Sequence, residues 1–137
     1  MDLKLELITL PSDDIDRAKA FYAEKAGFNV DVDYSAGDFR VVQLTPPGSA
    51  CSIALMRRSG QLPHNVQGMH LVVSDIEAVR AELLARGLEL SELFHFDEGG
   101  QQPGPDPERR DYNSFCSFSD PDGNGWLLQE VKRADAE

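Results

Sequence analysis

The sequence predicts an α+β fold: two βαβββ modules in pseudo-twofold arrangement, forming a concave mixed sheet. Two observations carry that prediction. The segments "DIDRAKAFYAEKAG" (Asp14 to Gly27) and "DIEAVRAELLARG" (Asp75 to Gly87) both come after a run of β-formers, start acidic, space their apolar residues for a helix and end on glycine. The strands downstream of each helix also repeat. Placing Pro47 and Gly48 on Asp122 and Gly123 carries Ser52 onto Leu127 and Phe39 close to Phe115. A period this long indicates two fused half-domains.

The individual elements can be justified along the chain. In the first module the helix is succeeded by "FNVDVDY", "DFRVVQLT" and "ACSIALMR", with "PPGS" turning the last two. In the second, the strands are "LELSELFHF", "SFCSFS" and "GWLLQEV", with "DPDGN" as the turn. Module 1 spans about residues 1–62 and module 2 about 63–137 of a single domain. The segment "DEGGQQPGPDPERRD", Asp97 to Asp111, has no counterpart in the first half. Its glycines and prolines make it a loop, placed as a lid over a binding cup.

The turn "DPDGNG" offers Asp120, Asp122 and Asn124 at the spacing of a calcium loop. The closing position is Val131, with Glu130 one residue early, and the flanking runs are strands rather than helices. A hairpin turn is the better reading.

Composition excludes whole classes of function. The 137 residues are 41% hydrophobic and 27% charged, ordinary for one globular domain, and the net charge of −11 disfavours nucleic acid or an anionic membrane as partner. No apolar run approaches the length of about 20 residues that a membrane helix needs, and the amino terminus lacks a secretory pattern. A cytoplasmic protein is expected, its two cysteines, Cys51 and Cys116, being reduced core thiols. There is no phosphate-binding loop, dinucleotide fingerprint or nucleophile elbow.

The paired modules, the helix starts "DIDRAKAFYAEKAGF" and "HLVVSDIEAVRAELLARG", and "FSDPDGNGWLLQE" together resemble the vicinal oxygen chelate superfamily, which holds glyoxalase I, bleomycin-resistance proteins and extradiol dioxygenases. The resemblance covers essentially the whole chain and is specific for fold, not for activity. It implies a frequent homodimer. Its enzymes hold a divalent metal in the cup with His, Gln or Glu from both modules. The corresponding positions here are Leu7, Gly68, Leu127 and either Ser52 or Ala54. None of these side chains suits a metal, so no cofactor is expected.

Strand parity then gives the cup-facing set. It comprises Leu5, Leu7, Thr9, Ser52, Ala54, Met56, Gly68, His70, Val72, Leu127 and Gln129. The expected ligand-binding residues are Leu7, Thr9, Ser52, Ala54, Met56, His70, Leu127 and Gln129, an apolar surface with few polar groups. His70, placed on a central strand, is the one catalytic candidate, as a general base or a displaced metal ligand; a buried, hydrogen-bonded histidine is the plainer role. A one-residue change of register would bring Glu6 and Glu130 into the cup and reopen metal binding. His64 and His95 are expected in exposed loops, Arg109 and Arg110 at a solvated loop end, and Trp126 against a helix. Two functions stand: a glyoxalase/bleomycin-resistance-like protein that binds a small molecule without metal, or a metal-dependent lyase or dioxygenase with an atypical ligand set.

Overall fold

The computed structural model describes residues 1–132. The fold is α+β, with two mixed sheets of four and five strands and few helices. In the first module β1 (Leu7–Ser12) leads to α1 (Ile15–Ala20), then β2 (Asn29–Ala36), β3 (Phe39–Thr45) and β4 (Ser52–Arg57), in sheet order β1-β4-β3-β2. The β1–β4 pair is parallel and the others antiparallel. The second module runs β5 (Met69–Val73), α2 (Ile76–Ala85), β6 (Phe94–Asp97), β7 (Gly100–Pro103), β8 (Phe115–Ser119) and β9 (Gly125–Glu130), ordered β5-β9-β8-β6-β7.

Both helices begin as their sequences demand. Asp14 and Asp75 sit at extended φ/ψ, and their carboxylates accept from the amides of Arg17 and Ala78 three residues on. The first helix widens into a π-helical turn over Phe21–Lys25 and stops before Gly27, whose φ of 76° a side chain would resist. The face of the first sheet that meets α1 buries Leu10, Val42, Leu44 and Leu55 completely, along with Ala18 and Tyr22 from the helix. In the second module Cys116 and Leu128 of the sheet and Ile76 of α2 play that part.

Two compact units result. One holds Met1–Val66 together with Asp120–Asn124, the other Gln67–Ser119 and the segment from Gly125 onward. The "DPDGN" turn thus belongs with the first module's residues, and its hydrogen bonds say why. Tyr22, fully buried, donates its hydroxyl to Asp120 Oδ2 at 2.6 Å. Asn124 donates to the carbonyl of Pro11 and accepts from the amide of Val66, while Asp122 accepts from the amide of Asp13. Both oxygens of Asp120 are further occupied by the amides of Asp122 and Asn124 and the Asn124 side chain. A carboxylate committed in this way has no lone pairs left for a cation, so Asp120 acts as a structural clamp.

Three expectations are corrected here. The unmatched segment is not all loop: Gly100–Pro103 pairs with β6 and gives the second sheet an extra strand. Its remainder is no free lid, because Asp106 is fully buried and takes the guanidinium of Arg110, the amide of Glu108 and the side chain of Asn113. Cys51 is partly exposed, and only Cys116 is a core thiol.

Candidate functional site

In the first module the register pairs Leu7 with Ser52, Thr9 with Ala54 and Pro11 with Met56, while Gln43 lies across from Ala54. Leu7, Thr9, Ser52, Ala54 and Met56 therefore share the face opposite the buried leucines. That face continues across β3 and β2 through Val32, Tyr34 and Phe39, which are exposed by 42%, 54% and 47%. Its polar element is a chain of hydroxyls. Thr45 donates to the carboxylate of Asp31, and its oxygen lies 2.6 Å from the Ser52 hydroxyl. Since Thr45 has one proton and Asp31 takes it, Ser52 must donate to Thr45.

In the second module His70 lies across from Leu127, Val72 across from Gln129, and Gln129 and Leu127 across from Phe115 and Ser117. The structure thus gathers His70, Leu127 and Gln129 on one face, as parity requires. His70, however, is on β5, an edge strand rather than a central one, and is exposed. Its Nδ1 lies 2.7 Å from the carbonyl of Gly68, so Nδ1 carries the proton and Nε2 is free. Gln129 donates to the carbonyl of Tyr112, which leaves its side-chain oxygen available.

Three aromatic rings dominate this face, and none of them stands out in the sequence as a site residue. Phe94 lies across from Phe115 with ring centroids 5.5 Å apart and planes within 20°. Phe96 meets both edge-on, at 5.9 Å from Phe94 and 5.7 Å from Phe115. Phe115 is covered to 9% exposure by this packing, whereas Phe96 remains 45% exposed. Beside the rings lies a cavity of about 620 Å³ lined by Leu93, Phe94, Gln101, Pro103, Ser117 and Leu127, among others. A wider groove of about 830 Å³ borders Phe96, with Asp97, Glu98 and Asp111 along it. The "LFHF" alternation places Phe94 and Phe96 on one face, but the β6–β8 pairing that adds Phe115 is not readable from one sequence.

The other parity carries structural charge. Glu130 is 1% exposed; it accepts the Ile76 amide at the start of α2 and both Nε and Nη2 of Arg109, at 3.0 and 2.7 Å. Arg109 also reaches Glu77 at 2.5 Å. The Arg109 guanidinium holds the Glu130 carboxyl below its usual range despite burial. Glu130 is therefore tied to a helix and not to the open face, and Arg109 is no solvated loop end. His95 is likewise corrected: it lies in β6, is 7% exposed and contacts the Gly104 carbonyl through Nδ1 at 2.7 Å. Trp126 is buried and stacks on Phe118 of the neighbouring strand. Burial lifts the Cys116 thiol to about 11, which makes it inert as a nucleophile at neutral pH.

The superfamily's metal does not fit these residues. Leu7, Ser52, Gly68 and Leu127 offer no imidazole or carboxylate, and among the described residues no three His, Cys, Asp or Glu side chains gather as a ligand set. Nor is any described helix long and apolar enough to cross a membrane.

Residues 4–128 match the Glyoxalase/Bleomycin resistance protein/Dioxygenase superfamily. The chain belongs to that superfamily. Among solved structures of the superfamily's fold, it is similar to TnmS3, an antibiotic binding protein from Streptomyces sp. CB03234, at 28% identity and a TM-score of 0.72, covering 94% of this chain and 96% of that one. A glyoxalase/bleomycin resistance protein from the same organism matches at 28% identity and 0.70, covering 93% and 100%. A superfamily member from Sphaerobacter thermophilus DSM 20745 shares the fold at 24% identity and 0.71, covering 95% and 98%. No curated protein matches the chain.

Proposed function

We propose that this superfamily member is a small-molecule-binding protein of the antibiotic-binding kind, working on the open sheet faces and without the divalent metal of its enzymatic relatives. One observation carries the reading. On the faces away from the helices the first module presents Leu7 with the buried Ser52 and Ala54, and the second presents Leu127 with a wall of phenylalanines. Such faces suit binding of an apolar molecule and offer nothing to polarise its oxygens. The similarity to an antibiotic binding protein supports it. His70 and Gln129 would orient the bound molecule by their free acceptors.

The exposed apolar surface formed by Leu7, Val32, Tyr34 and Phe39 favours a homodimer, since monomers rarely leave such a patch uncovered. Sedimentation at micromolar concentration would report twice the chain mass. The free thiols agree with a reducing, cytoplasmic location.

The alternative is a lyase or dioxygenase using His70, Gln129 and Glu130 as metal ligands. Its weakness is geometric, for Glu130 lies on the opposite face and is engaged by Arg109. Metal analysis of protein purified without a metal-binding tag, repeated after adding manganese, zinc, nickel and iron(II), separates the two. We expect no stoichiometric metal, together with thermal stabilisation by members of an antibiotic panel. Stoichiometric metal would transfer the assignment to the enzyme.

A further inference from the structure

We infer that the second module's cavity selects a flat aromatic ring bearing a hydroxyl and no negative charge, stacked on Phe94 and hydrogen-bonded to Ser117. The inference rests on the small-molecule-binding reading and names the ligand class that this site takes.

The rings argue for flatness. Phe94 has one near-parallel neighbour in Phe115 and an edge-on neighbour in Phe96, and it also lines the cavity. A ring entering there extends an existing stack, a geometry that stabilises aromatic pairs beyond the area they bury. Leu93, Pro103 and Leu127 complete apolar walls. The volume of about 620 Å³ falls in the range of drug-sized sites, enough for two or three fused rings.

The polar groups argue for a hydroxyl and against a negative charge. The backbone amide and carbonyl of Ser117 are taken by Ser91, yet its side-chain hydroxyl has no hydrogen-bond partner among the described residues while lining the cavity. Such a group serves a ligand as donor and acceptor alike. No lysine or arginine lines this cavity, and its one ionisable residue, Glu92, is an acid whose carboxylate lies 3.6 Å from Arg80, so the lining offers an anion no attraction.

The test uses naphthol, naphthalene and decalol, the saturated analogue of naphthol, titrated calorimetrically into the full chain. Naphthol should bind more tightly than decalol. Phe94→Leu should cut naphthol affinity about threefold to tenfold while leaving decalol nearly unchanged. Ser117→Ala, a surface-lining change that spares the fold, should weaken naphthol by about threefold or more and leave naphthalene unaffected. Circular dichroism confirms that each variant is folded. Equal binding of naphthol and decalol, or equal losses for both in Phe94→Leu, overturns the aromatic assignment. If none of the three probes binds while antibiotics in the wider panel do, the ligand class is wrong and the binding function stands. If nothing in that panel binds either, both fail.

Discussion

At the scale of single residues, the most exacting interaction is the Glu130–Arg109 pair. A carboxylate 1% exposed has left water almost completely, and it is tolerated because one guanidinium and one helix-terminal amide replace its hydration. Removing the cation leaves a buried charge with a single amide partner. Arg109→Ala should therefore cost on the order of 2–3 kcal/mol in denaturant unfolding, far more than loss of an exposed pair would. The pH dependence has a definite sign. Glu130's carboxyl is depressed in the folded chain, so its contribution is complete above its ordinary value of 4.5 and is lost as pH falls below it. Glu130→Gln should flatten the acid limb of the stability profile; an unchanged slope would show that other carboxylates set it. Tyr22 provides a neutral counterpart. Tyr22→Phe deletes one hydroxyl from the buried Asp120 network and should cost about 1–3 kcal/mol, read from the urea midpoint.

At the scale of elements, capping can be tested on α2. Asp75→Ala removes the acceptor of the Ala78 amide and should destabilise the chain by about 1 kcal/mol, with Asp75→Asn restoring most of it. Such local signals are what a sequence displays well. Both helix starts, the "DPDGN" hairpin and the alternation of β1, β4, β5 and β9 are readable, because capping and parity depend on neighbours in the chain. Pairing is a different matter. That Phe115 lies across from Phe94 depends on a register between distant segments, and His70 reads as central until the strand order puts β5 at an edge. The same holds for β7, whose "GQQP" has the composition of a loop and becomes a strand only because β6 supplies its partner. His95 departs from its loop-like sequence context for that reason: hairpin pairing turns it inward and buries it.

At the scale of the whole molecule, charge and the candidate site make separable demands on a ligand. A net charge of −11 surrounds any site on this chain with a field that attracts cations. In the second module Asp97, Glu98 and Asp111 along the wider groove outnumber its one cation, Arg110, and add to it locally. Stacking on Phe94 does not depend on that field, whereas the approach of a charged ligand does. Exposed charges are screened over about 10 Å at 0.1 M salt, so raising ionic strength should discriminate between the two contributions. The affinity for neutral naphthol should stay within about twofold from low to high salt. Naphthylmethylammonium, which has the same rings and a positive charge, should bind more tightly at low salt and converge on naphthol as salt is added. Titrations at several salt concentrations measure both. A cation whose affinity ignores salt would mean that the acidic groups lie too far from the bound ring to act, and that the phenylalanine wall alone sets recognition.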